Sequence, residues 1–211
     1  MHGSGQERVC CPEKEASLTA NVSEPTDRRV QRTRYALRDA LISLLPERGW
    51  DDLSVQDICA RANVGRSTFY MHFRSKEELL AGGLSDLRDA LREQANAARE
   101  EGRGELPFVR GLIEHVHEQR KLFRALIGRR SGHVVQARFR EMVLQLAEDD
   151  LSRLVAARWQ RDATAHYIAG ALVELLAWWV EGRCVRSADQ IEHLFHQLTA
   201  PAIARLKSSI D

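Results

Sequence analysis

The residues best suited to act on an external partner lie close together, between Gly65 and Lys76. Arg66 can place its forked guanidinium on a guanine edge, and Thr68 can offer a base either a hydroxyl or a methyl group. Ser67 and Tyr70 carry hydroxyls suited to phosphate or base contacts. His72 and Lys76 follow at the far end, where their nitrogens suit backbone phosphates. Gly65 opens the run, at the start of its helix. Upstream, Ser54 and the N–H groups of its own helix start can hold another phosphate, and Arg32 adds a cation from the preceding segment. Phe69 and Phe73 stand four apart in the same run and read as its buried anchors.

Such groups are useful only if a rigid frame presents them, and the flanking sequence describes one. A helix is expected from Thr26/Asp27, with Leu37, Leu41, Leu44 and Leu45 on one face, stopping near Arg48-Gly49, where glycine suits a helix end. Ser54 is a good N-cap, and Asp57 three residues on completes a variant of the capping box. Val55, Ile58, Cys59 and Ala62 then give a stripe about two turns long. Asn63 is the non-glycine residue that best tolerates positive φ, so a tight turn is expected there. Gly65 to Tyr70 begins a second short helix. Two short helices joined by a tight turn form a helix-turn-helix. Ser75, with Glu78 at the box position, caps a longer helix carrying Leu80, Leu84, Leu87 and Leu91 to about Glu101.

Charge points the same way. Between Arg28 and Lys76 there are ten basic and five acidic residues, a surplus of five, whereas the whole chain carries +1 and the remainder therefore −4. A basic module on an acidic body suggests nucleic acid at one end. The 211 residues, 44% of them apolar, suffice for a real core. Residues 1–26 mix Gly, Ser, Pro, Glu and Thr without periodicity and are expected to be a disordered arm. They lack the apolar centre of a secretory signal. The longest apolar stretch, Ile168–Val180, is interrupted by Glu174 and is shorter than a bilayer needs, so a cytoplasmic protein without a membrane partner is expected. Four cysteines, Cys10, Cys11, Cys59 and Cys184, are too scattered for a disulfide framework or a zinc site. Cys59 reads as a small core residue, and the vicinal Cys10-Cys11 pair leaves a redox sensor open.

The stretch from Leu53 to Leu80, with Phe69-Tyr70-Met71-His72-Phe73 ahead of Ser75-Lys76-Glu77-Glu78-Leu79, resembles the DNA-binding domain of the TetR family. With the helix before it, the likeness covers roughly residues 28–80. Three positions depart from the family pattern. Asn63 stands where glycine is usual, Cys59 where alanine is more common, and Gly65 replaces the usual serine at the cap, weakening that cap by only a few tenths of a kcal/mol. The resemblance implies an all-helical homodimer. Its last two long helices would form a four-helix bundle with the partner, and a small effector would separate the reading helices. These would otherwise enter successive major grooves of a palindromic operator on double-stranded DNA, about 34–36 Å apart. The expected division is an arm at 1–26, a helix-turn-helix domain at 27–74, and a helical effector and dimerisation domain at 75–211.

In the C-terminal half, Gly102-Arg103-Gly104 breaks the pattern, and only helices are expected beyond it. They run from Pro107 to Gln119, Arg120 to Ile127, His133 to Trp159, Asp162 to Glu181 and Ser187 to Lys207, with Gly128, Ser131-Gly132, Gly182 and Pro201 as punctuation. The span from Ile168 to Val180 is apolar nearly all round, as for a helix covered on several faces, including by a second copy of the chain. Trp178-Trp179-Val180-Glu181-Gly182 resembles the end of the penultimate helix in the dihydroxyacetone-kinase-regulator subgroup. Phe123, Leu126, Met142, Leu146, Tyr167, Glu174 and Trp178 are candidates to line an effector pocket, although plain core packing accounts for each of them too. Glu174, the lone acid in its run, can meet a cationic ligand, an arginine or solvent at a dimer edge. Glu114 and His117, spaced three apart, suit a metal, as do His193 and His196, but a di-iron bundle needs a second Glu-x-x-His, which is missing. No cofactor or metal is expected. No phosphate loop, nucleophile elbow or zinc-protease motif is present, so no enzyme is expected. A repressor released from its operator by a small ligand is the expected function. The alternative is a DNA-bound regulator controlled by a protein partner.

Overall fold

The protein is described by a computed structural model covering residues 23–102, 104–128, 132–182 and 186–208. Cys10, Cys11 and Cys184 lie outside these residues. Among the described residues the fold is all-helical: α1 Ser23–Arg48, α2 Val55–Ala62, α3 Arg66–His72, α4 Lys76–Glu100, α5 Phe108–Glu118, α6 Arg120–Ile127, α7 His133–Leu151, α8 Arg158–Glu181 and α9 Ala188–Ser208. The first helix starts at Ser23, inside the segment expected to be an arm through residue 26.

Leu37, Leu41, Leu44 and Leu45 of α1 are buried in one core with Ile58 and Cys59 of α2, Phe69 of α3 and Phe73 just past the end of α3. α4 links this small core to the rest. Its first turns supply Leu79, Leu80 and Leu84 to the core, and further along it packs on α5 and α7. Polar ties follow the same path. Arg38 of α1 pairs with Asp86, while Arg88 reaches Gln145 at 2.7 Å and Arg92 reaches Asp149 at 2.5 Å on α7.

Several expectations for the C-terminal half need correction. The helix expected over 133–159 ends at Leu151. The chain there turns tightly, with the N–H groups of Leu154 and Val155 both donating to the Leu151 carbonyl at 3.0 Å. Val155 is buried, so the turn is held by packing where the sequence has neither glycine nor proline. α8 therefore starts at Arg158, not Asp162, and lies back along α7. It runs 24 residues, enough in length and apolarity to cross a bilayer, although the sequence suggested too short a stretch. Its inner face, with Ile168, Leu172, Leu176 and Trp179, is buried in the domain and packs on α6 and α7. Pro201 lies inside α9 and does not end it.

Candidate nucleic-acid interface

Local chemistry builds the turn between α2 and α3. The Ser54 hydroxyl accepts from the Asp57 N–H at 3.2 Å, and the Asp57 carboxylate accepts from the Ser54 N–H at 3.1 Å, a complete capping box. The Ser54 hydroxyl also donates to the Asp57 carboxylate at 2.5 Å, and this bond, followed by that from the Ser54 N–H, holds the Asp57 carboxyl below its ordinary range, with Arg48 adding to the effect at 2.5 Å. At the other end Asn63 adopts φ 52°, ψ 45°, the left-handed conformation usually left to glycine, and Val64 N–H closes the turn on the Cys59 carbonyl at 3.0 Å. Gly65 then caps α3 with extended backbone and no side-chain hydrogen bond, which leaves the helix start uncovered.

α3 is anchored from one side. Phe69 is fully buried and meets Phe73 with ring centroids 5.9 Å apart, while Arg34 lies over the Phe73 ring at 5.0 Å. The opposite face is free. Arg66, Ser67 and Tyr70 are exposed, and Thr68 and His72 are partly so. Met71 is 76% exposed beside Tyr70 and was not among the sequence candidates. Its helical register with Ser67, opposite Phe69, is the signal that could have found it.

The basic residues divide into two groups. Arg61 is engaged by Glu47 at 2.7 Å, Arg48 by Asp57 and Arg38 by Asp86. The guanidinium groups of Arg32, Arg66 and Arg74 have no acidic partner among the described residues, although the Glu78 carboxylate accepts from the Arg74 backbone N–H at 2.6 Å, and all three residues are exposed. Arg74 is a further cation that the candidate set lacked; it sits one residue past the end of the second anchor, Phe73.

Two sequence candidates are placed differently from expectation. The Lys76 ammonium turns inward, donating to the carbonyls of Trp50 and Leu53 at 2.8 Å each and lying 4.6 Å from the Trp50 ring centroid. It closes the loop before α2 and is not presented to a phosphate. The Ser54 hydroxyl and N–H are both committed to Asp57, whose carboxylate would repel a phosphate at that position.

The effector candidates do not form one pocket. Phe123 and Leu126 line an apolar cavity with residues of α1 and α4. Met142 borders a groove between α4 and α7, and Leu146 a different one beside Arg99 and Asp150. Tyr167, Glu174 and Trp178 are exposed along one stripe of α8. Glu114 is engaged by Arg110 at 2.9 Å, and His117 stacks on Trp179 with ring centroids 5.6 Å apart.

A tight two-helix turn presenting a cationic, uncovered helix from a buried aromatic base defines a helix-turn-helix DNA-binding protein. The family described as bacterial regulatory proteins, tetR family, matches residues 37–82, and the transcriptional regulator C-terminal region matches residues 106–200. The chain belongs to the TetR family and is a DNA-binding transcriptional regulator of that type. YxbF of Bacillus subtilis strain 168, an uncharacterised HTH-type transcriptional regulator, is 46% identical over 55 residues, 26% of this chain and 14% of that relative's length. A TetR transcriptional regulator from Streptococcus agalactiae 2603V is similar in structure, with a TM-score of 0.62 and 25% identity, covering 82% of this chain and 97% of that one. The dihydroxyacetone kinase operon activator DhaS shares the fold, with a TM-score of 0.56 and 19% identity, covering 83% of this chain and 96% of that one.

Proposed function

We propose that this chain is a cytoplasmic homodimeric repressor that binds a palindromic operator through α3 and is released by a small effector. The observation that carries this reading is the free face of α3, where Arg66, Ser67, Thr68 and Tyr70 stand opposite the buried Phe69. Arg66 reads a guanine, Thr68 and Tyr70 contact neighbouring groups, and Arg32, His72 and Arg74 hold phosphates. Ser54 and Lys76 act behind them as positioning residues for the loop and the turn.

Dimerisation is supported by the outer stripe of α8 and the adjacent face of α9. Trp159, Tyr167 and Trp178 on α8, and Leu194 and Leu198 on α9, are exposed apolar side chains at helical spacing. An apolar surface of that kind is normally covered. A second copy places two reading helices on one duplex, as a palindrome requires.

The test is selection of genomic fragments at several salt concentrations, with sequencing of the bound DNA. A palindromic motif with a steep salt slope is expected. Binding without sequence preference would overturn the operator reading. Whether bound sites lie over or upstream of a promoter decides between repression and activation, the latter being the role of DhaS.

A further inference from the structure

Between the reading domain and the body lies a cavity of about 90 Å³. Its walls come from α1, α4, α5 and α6, and are almost entirely apolar, with leucines such as Leu41, Leu45 and Leu126. Met142 and Leu146, the α7 residues read as pocket candidates, do not line it. Ile42 on α1 is its most exposed wall residue and marks the entrance.

Two polar groups interrupt the apolar wall. Arg38 gives one arm of its guanidinium to Asp86, but its Nε–H is buried with no hydrogen-bond partner. An unpaired buried donor of this kind is costly and rare. His115 contributes an imidazole whose contact is an edge-on approach to Phe123, with ring centroids 5.6 Å apart. Burial pushes the His115 pKa down, so its ring is neutral near pH 7 and presents one donor and one acceptor.

We propose that this junction cavity is a binding site for a small hydroxylated aromatic of phenol size, and that its occupation moves α1 against the body. The ring matches the leucine walls. A hydroxyl both accepts and donates, so it can satisfy the Arg38 Nε–H and use the acceptor nitrogen of His115. A cavity of roughly 150 Å³ takes up benzene without rearrangement, and this one is smaller. An aromatic occupant must therefore widen it, and the movable wall is α1, which carries the reading domain and meets the body at α6 and α4. The site stands apart from the stripe of α8 and α9 assigned to the second copy.

The experiment is titration of the full chain with 4-fluorophenol and, separately, fluorobenzene, followed by fluorine NMR. Saturable binding of both is expected, with the phenol about tenfold tighter, the value of one hydrogen bond to a charged donor. Gly83 lies on the cavity wall, where an added Cβ would sit 3.8 Å from the Arg38 Cδ and Nε. Gly83→Leu should fill the space and abolish binding of both probes. Arg38→Met should reduce the phenol to the affinity of fluorobenzene. No saturable binding, or unchanged binding in Gly83→Leu, overturns the site. The coupling to α1 rests on the regulator reading and is measured apart, as operator affinity with and without 4-fluorophenol. Tenfold or greater weakening supports it, and undiminished affinity at saturation overturns the coupling while the binding result stands. Failure to bind any operator would count against the regulator reading alone.

Discussion

The Lys76 ammonium lies 4.6 Å from the centre of the Trp50 ring and donates to the Trp50 carbonyl at 2.8 Å. A third contact, to the Leu53 carbonyl, makes this one lysine the closure of the loop between α1 and α2. Trp50 and Leu53 are both buried, so these carbonyls have little water to turn to. Lys76→Met, which keeps the stem, should destabilise the fold by about 1–3 kcal/mol, measured by thermal or urea unfolding. The salt slope of operator binding should stay as in the parent. A slope flatter by about one unit with stability unchanged would instead assign Lys76 to a phosphate.

Arg66 has the opposite situation, exposed and without an ion-pair partner among the described residues. Arg66→Ala should cost about 1–3 kcal/mol of operator affinity and relax selection at one base position. Arg61, already engaged by Glu47 at 2.7 Å, is the control. Arg61→Ala should leave the selected sequence unaltered. Selection profiles of the three proteins decide it, and a parental profile for Arg66→Ala would remove that residue from the base-reading role.

Arg74 is expected to act on the backbone alone. Arg74→Ala should weaken binding to all DNA sequences by a similar factor and lower the salt slope by about 0.9. Affinities for the operator and for an unrelated duplex, measured across a salt series, check this. A loss confined to the operator would mean that Arg74 reads a base.

These residues differ in how far the sequence alone disclosed them. The capping box at Ser54, the left-handed turn at Asn63 and the Phe69–Phe73 anchor depend on neighbours within a few positions, and were legible from spacing. The Lys76 closure joins residues 26 apart, and nothing in local spacing encodes which way a lysine at a helix start will turn. The turn after Leu151 depends on burying Val155, so it has no glycine or proline to announce it. Tyr167, Glu174 and Trp178 were recognisable as members of an apolar helix. Periodicity could not say whether that face meets its own domain or a second copy, because both demands produce the same residue types.

Asp150 is buried in the body with its Oδ2 atom lacking a donor, although Arg99 pairs with the other oxygen. Burial outweighs the guanidinium and raises the carboxyl to about 6. A folded-state value above the unfolded one means that the folded protein binds the proton more tightly. This group's stabilising contribution is therefore full below about pH 4 and is lost as pH rises to about 6. The loss amounts to roughly 2–3 kcal/mol. The unfolding free energy of wild type minus that of Asp150→Asn should fall by this amount across pH 4–6.5 and then level off. A flat difference would show that burial does not control this carboxyl.

Trp178 and Leu198 are 51% and 64% exposed on α8 and α9, so neither is needed for the chain's own core. Leu198→Glu should thus leave helix content and the unfolding transition of the monomer near those of the parent. In a two-fold interface the same substitution occurs twice, and each glutamate would meet an apolar surface. Two effects of about 1.4 kcal/mol each weaken dimerisation about a hundredfold. Sedimentation equilibrium should show monomers at micromolar concentration, and operator affinity should fall because one reading helix at a time holds only a half-site. Trp178→Glu should behave in the same way. If both variants sediment as the parent does, the stripe is not where the copies meet. If they dissociate with operator affinity intact, a single α3 suffices for binding, and the palindrome is dispensable.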